Sequence, residues 1–242
     1  MTEERPAFYA LESGGWRDYW TLLHPPYTLW HLSYVAIGAS LAPEVNVQWF
    51  LETLAAFFLA MGIAAHALDE LHGRPLRTGI PRGALIGLAV VGLTGAVALG
   101  VHGTFVASPW LWAFIAVGGS LVVFYNLELF GGAFHSDLWF ALAWGAFPVL
   151  TAAFAQTATV TVAAVLAAAA CAAVSAAQRV LSTPVRRLRR RVVSVRGELT
   201  LPDGSVEPLE AGALRSAPEG ALRWLSIAMP LFAGALLVNR LG

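Results

Sequence analysis

Long apolar runs alternate with short polar breaks along the chain. Each run is close to the roughly 20 residues a helix needs to cross a hydrocarbon core. They predict seven membrane helices, at 24–43, 48–69, 83–104, 109–128, 137–156, 158–179 and 221–239. Pro109, Pro148 and Pro184 mark a helix start, a kink and a stop in this pattern. Only Gln156 and Thr157 separate the fifth run from the sixth. Period-two alternation is confined to 192–201, followed by the turn signal Pro202-Asp203-Gly204-Ser205 and a return over 206–209, which predicts a small β-hairpin. The resulting division is 1–180 for helices one to six, 181–220 for an Arg-rich segment with the hairpin, and 221–242 for a last helix.

Composition sharpens this reading. The 242 residues are 57% hydrophobic and 12% charged, against about 25% charged in a soluble domain. Lipid is therefore the main solvent, and the fold class is an all-α integral membrane protein. Formal net charge is zero, which gives no footprint for a nucleic acid. Cys171 is the only cysteine and reads as a small core residue, so no intrachain disulfide forms. The first twenty residues, with Thr2, Glu3, Glu4, Arg5, Glu12, Arg17 and Asp18, are too polar for the core of a signal peptide.

Every basic residue is arginine, and the arginines alternate by loop. Arg5 and Arg17 precede the first run, Arg74, Arg77 and Arg82 follow the second, and nine lie between Arg179 and Arg223; the loops after runs one, three and five have none. The positive-inside rule then puts the N-terminus in the cytoplasm and the C-terminus outside, with Arg240 as the exception. The run at 186–191 reads as an anchor in anionic headgroups.

Ionisable groups inside membrane helices are costly and raise a functional hypothesis. His24 and His31 lie two turns apart on the first helix, His31 roughly 10 Å deeper. His66, Asp69 and Glu70 have helical i, i+3 and i+4 spacing. His72 follows just outside, Asn126 and Glu128 close the fourth helix, and His135 and Asp137 open the fifth. All fall at one predicted membrane depth on the cytoplasmic side, and His102 alone falls at the other. Imidazole with carboxylate suits Fe, Zn or Mn, with two ions as one option, whereas an all-oxygen site suits Mg. The candidate metal ligands are therefore His24, His31, His66, Asp69, Glu70, His72, Glu128, His135 and Asp137, with His66, Asp69, Glu70 and Glu128 as candidate catalytic groups. The nine tryptophans read mostly as an interfacial belt, with Trp30 and Trp144 deeper.

The stretch Ala65-His66-Ala67-Leu68-Asp69-Glu70-Leu71-His72-Gly73-Arg74-Pro75-Leu76-Arg77, continuing through Ile80 to Leu85, resembles the first signature region of the UbiA-type membrane prenyltransferases. Leu23-His24-Pro25-Pro26-Tyr27 resembles that family's first-helix entry. Tyr125-Asn126-Leu127-Glu128, Gly145-Ala146-Phe147-Pro148 and Ala155-Gln156-Thr157 resemble later segments, in the right order. The resemblance covers about residues 20–160. It implies a helical bundle around a cytoplasm-facing cavity, a prenyl diphosphate substrate and Mg held by two Asp-rich motifs, with Arg74, Arg77 and Asn126 as candidate cofactor-binding residues. His66 stands where the family has Asn or Asp. The second motif is replaced by Gln178-Arg179-Val180-Leu181-Ser182-Thr183-Pro184-Val185-Arg186-Arg187, which has no carboxylate. The chain is also two helices short of the family's usual nine.

The expected function is a membrane-embedded, UbiA-like, metal-dependent enzyme acting on a lipid or isoprenoid. The first alternative is a divergent Mg-dependent prenyltransferase in which the arginines at 186–191 grip diphosphate. The second is a non-enzymatic lipid-binding or assembly protein whose hairpin at 192–209 docks another protein or a second copy. Transport is disfavoured because no inverted repeat is visible.

Overall fold

A computed structural model of the chain describes residues 5–242. Thr2, Glu3 and Glu4, and with them the start of the polar leader, lie outside the described residues. A short surface helix, α1 (Trp16–Leu22), leads into α2 (Pro25–Ala39). Then come α3 (Val47–Leu71), α4 (Arg82–Val106), α5 (Leu111–Asn126), α6 (Asp137–Thr157) and α7 (Val162–Arg190). A two-stranded sheet, β1 (Glu198–Thr200) and β2 (Val206–Pro208), precedes the last helix, α8 (Ala211–Leu241).

Five of these helices, α3, α4, α6, α7 and α8, are long and apolar enough to cross a membrane. Helices α5 (16 residues) and α2 (15 residues) are shorter. Large apolar side chains such as Phe105, Val162, Leu166, Leu231 and Val238 stand exposed on the outside of the bundle, a surface suited to hydrocarbon rather than water.

Side-chain caps set several boundaries. Asn46 accepts from Trp49 N at 3.1 Å, Ser136 from Trp139 N at 3.3 Å and Thr161 from Ala164 N at 3.1 Å, each meeting a donor orphaned at a helix start. The core lies where α2, α6, α7 and α8 pack together. Trp30 and Tyr34 are fully buried there, with Trp30 Nε1 donating to Tyr34 Oη at 2.7 Å and Ser175 Oγ of α7 donating to the same oxygen at 3.1 Å. Small residues let backbones touch. A methyl group on Gly145 of α6 would stand 2.7 Å from the Cys171 carbonyl of α7, and one on Gly38 of α2 would collide with the Val149 carbonyl of α6. Gly38→Leu should therefore cost about 2 kcal/mol by overpacking, read as an earlier thermal unfolding midpoint in detergent.

Two helices change winding next to polar residues. Helix α3 is a π-helix over Phe58–Ala65, directly before His66, and α6 is one over Ala141–Ala146, ending two residues before Pro148. Pro148 has no N–H for the Trp144 carbonyl and its ring would crowd it; a wider turn relieves both.

The structure corrects three expectations. Pro184 does not stop its helix, because α7 continues to Arg190. The segment at 181–220 is consequently helical at both ends, since α8 begins at Ala211. The first strand covers only Glu198–Thr200 rather than 192–201, because the return strand offers it three residues, with Leu199 opposite Glu207. The hairpin turn stands as expected: Gly204 has φ 83° and Ser205 N donates to Asp203 Oδ1 at 2.9 Å. The Ser205 hydroxyl, donating to the same oxygen at 2.6 Å, and then this N–H hold the Asp203 carboxyl below its ordinary value.

Candidate anionic-ligand cavity

One cavity of about 720 Å³ opens at the end of the bundle that carries the arginines. His24, His31, His66, Asp69, His72, Arg74, Arg77, Asn126, Glu128 and His135 all line it. Ten sequence-derived candidates from α2, α3, the following loop, α5 and the turn before α6 thus share one space. Glu70 and Asp137 do not line it.

His24 sits in the joint between α1 and α2, with φ 47°, a left-handed conformation that costs a non-glycine residue free energy. Pro25 follows at the first helical position, where its missing N–H is not needed. The bend lays the His24 ring flat on His66, with centroids 4.1 Å apart and planes 13° from parallel. His66 Nδ1 donates to the Gly62 carbonyl at 3.1 Å, which leaves its Nε2 as the acceptor. His24 Nε2 is buried without a hydrogen-bond partner, alone in this among the described residues. Buried polar atoms in folded proteins nearly always have a partner, so this nitrogen is a hydrogen-bonding position left open beside the cavity.

His31 lies deeper, with Nε2 3.1 Å from Gln178 Oε1 of α7 and its ring edge-on to Phe140. Glu128 stands 3.9 Å from His72 and 3.8 Å from His135, whose Nδ1 donates to the Tyr125 carbonyl at 3.0 Å. Asn126 Nδ2 donates to the Val122 carbonyl at 2.7 Å. Asp137 is taken by Arg179 at 2.7 Å, and the Arg179 guanidinium also stands over the Phe140 ring. Glu70 is wholly buried beneath the loop after α3. It accepts from Leu76 N at 3.0 Å, Thr78 N at 2.9 Å and Thr78 Oγ1 at 2.8 Å. His102 is far away, paired with Glu52 at 3.0 Å.

The remaining wall comes from residues outside the candidate metal-ligand and cofactor-binding sets, among them the arginines that the first alternative assigns to diphosphate. Tyr9 and Tyr27 line it, as do Gln178, Arg179, Arg186, Arg187, Arg190 and Arg191 of α7 and its end. Because α7 runs through Pro184, Arg179, Arg186 and Arg190 fall at spacings of seven and four and share one helix face. The run at 186–191 therefore serves the cavity as well as the helix end. Arg189 turns the other way, onto Glu219 of α8, at 2.7 Å. Burial, then Tyr27, pushes the Tyr9 hydroxyl above its ordinary value, so Tyr9 is a neutral O–H donor. The arginines at 186–191 are those the first alternative assigns to diphosphate; what reading Pro184 as a stop obscured is the helix face they share with Arg179.

Charge is lopsided. Seven arginines line the cavity (74, 77, 179, 186, 187, 190 and 191) against two carboxylates, Asp69 and Glu128. Such a wall attracts anions, and guanidinium groups match phosphate oxygens in pairs. Metal donors are less complete. Among the described residues no group of three or more His, Cys, Asp or Glu side chains is close enough to hold a metal ion. As placed, the imidazoles and acids do not form a closed ligand set. No family model, curated protein or solved structure matches the chain.

Proposed function

We propose that this protein is a membrane-embedded, UbiA-like enzyme acting on a lipid or isoprenoid whose phosphate or diphosphate end enters the arginine-lined cavity. The observation that carries this reading is the seven-to-two excess of arginine over carboxylate in one cavity. The resemblance at 65–85 supports it, and so does the stretch 178–187, which offers arginine where that family offers a second acidic motif. Guanidinium groups take the place of Mg ions in binding the diphosphate and balancing its charge. Tyrosine hydroxyls complete a wall of donors. Helices α2 and α5 join the five longer ones to make seven spans, with the arginine-rich end in the cytoplasm.

The test is calorimetry on detergent-purified protein in EDTA. Inorganic pyrophosphate and farnesyl diphosphate should both bind, and more weakly as salt is raised. Binding that appears only after Mg is added returns the chain to the Mg-dependent alternative; no binding under either condition removes the reading.

A second reading puts a transition metal at the stacked pair His24 and His66, with Asp69 one turn further on. It is supported by the unpartnered Nε2 of His24. Metal analysis of the same preparation separates the two: stoichiometric Fe, Zn or Mn that disappears in His66→Ala favours the metal.

A further inference from the structure

One wall of the arginine-lined cavity does not belong to the helical bundle. Pro6, Ala7, Phe8 and Tyr9 line the cavity, and residues 5–13 contain no helix or strand. Such a segment keeps its place only through what it leans on. Its outer end hangs from two arginines of α7: Arg189 Nη1 donates to the Arg5 carbonyl at 3.2 Å, and Arg190 Nε to the Pro6 carbonyl at 3.3 Å. In the middle, Phe8 lies edge-on to Tyr27, with the Arg223 guanidinium of α8 over its ring. Tyr9 rests on Tyr27 and His24, with centroids 5.5 and 5.3 Å away. Near the inner end, Leu11 N donates to Thr21 Oγ1 of α1 at 3.0 Å.

The segment ends at a glycine pair. Gly14 and Gly15 have φ 131° and 59°, and a Cβ on either would meet no atom within 4 Å. Nothing is packed against this joint, and glycine has the widest choice of backbone angles. Buried Asp18 fixes the pivot behind it: Oδ2 accepts from Gly14 N at 3.2 Å and from Gly79 N at 3.1 Å. Gly79 lies in the loop after α3 that carries Arg74 and Arg77, so one carboxylate ties the pivot to the arginine loop of the cavity.

Arg190 belongs to the segment and to the cavity at once. A guanidinium has five N–H donors in a rigid fork, so the nitrogens that Pro6 does not use can still take an anion. Tyr9 brings an O–H donor to the same space from the segment itself. An anion held by Arg190 and Tyr9 together fastens the segment at two places and offsets the repulsion among the arginines beneath it.

We propose that residues 5–13 are a strap that closes over the anionic head in the arginine-lined cavity, with Tyr9 as the strap residue that grips it. This inference rests on the function proposed above.

The experiment is hydrogen exchange on the full-length protein in detergent and EDTA, with and without inorganic pyrophosphate. Ala10 N is bonded to the Ala7 carbonyl and Leu11 N to Thr21, so both exchange when the strap lifts. Saturating pyrophosphate should slow exchange over 7–13 at least about tenfold, while α4, which has no residue in the cavity wall, is unaffected. Tyr9→Phe keeps the ring contacts and loses the hydroxyl. Its exchange without ligand should match wild type, and its protection at equal pyrophosphate occupancy should be clearly smaller. Thr21→Val, outside the cavity, removes the acceptor for Leu11 and should speed pyrophosphate dissociation about tenfold at an unchanged association rate, an effect that a fixed wall would not produce. Strap exchange that is unchanged or faster while calorimetry shows pyrophosphate bound overturns the inference and leaves the head site standing. Equal protection in Tyr9→Phe and wild type overturns it as well, since the grip is then elsewhere. Absence of pyrophosphate binding to the wild-type protein removes the head site, and this inference with it.

Discussion

Replacing Arg186 and Arg190 together by alanine should weaken pyrophosphate binding by about a hundredfold or more, with the protein still folded. Each guanidinium makes charge-assisted bonds worth roughly 1.5–3 kcal/mol to an anion, and two such losses approach 3–6 kcal/mol. Arg186 and Arg190 are one helical turn apart on α7, so they reach neighbouring phosphate oxygens from one rigid support. No carboxylate among the described residues forms an ion pair with either; their losses are the bond from Arg190 Nε to the Pro6 carbonyl at 3.3 Å and that from Arg186 to Thr183 Oγ1 at 3.5 Å, so no buried charge is stranded. Arg189, between them, is the contrast. It is tied to Glu219, which Arg223 also reaches at 2.8 Å, and its loss should lower stability before it alters binding. Calorimetry with pyrophosphate, beside thermal unfolding in detergent, reads both effects. Equal affinity in wild type and the double variant would leave the cavity without an anionic ligand.

The positions of the long apolar helices were legible because burial in lipid imposes one simple requirement, a long apolar run: α3, α4, α6, α7 and α8 each overlap a predicted run, and the shorter α2 and α5 overlap two more. Site membership was legible for a related reason. An ionisable residue in an apolar run has few places to go, so His24, His31, His66 and Asp69 could be grouped by depth alone. Two things were not legible. Proline in a membrane helix is tolerated when neighbours satisfy the freed groups, so Pro184 carried no stop signal, and its misreading hid the arginine face. Winding was also invisible: nothing in Phe58–Ala65 or Ala141–Ala146 marks a π-helix, yet these turns decide which way His66 and Trp144 face. Spacing alone also left Glu70 and Asp69 equal, and only the folded loop separates them.

That separation gives the second large effect. Glu70→Ala should lower stability by about 4 kcal/mol, a fall of roughly 10 °C in the unfolding midpoint, while Asp69→Ala should change stability little. Glu70 is fully buried and holds the loop after α3 by three donors. Truncation leaves two buried N–H groups and a hydroxyl unsatisfied in a loop that also holds Arg74 and Arg77 at φ 50° and 54°. With the loop released, both arginines lose their aim at the cavity, so pyrophosphate affinity should fall as well. Glu70→Gln is the discriminating variant. Its carboxamide oxygen still serves Thr78, but its NH₂ faces the Leu76 N–H, donor against donor. About half the stability loss should remain, with affinity close to wild type once the loop is in place. A metal-ligating or proton-transferring Glu70 gives the opposite pair of results: an unfolding midpoint near wild type, and a Gln variant as inactive as the Ala variant.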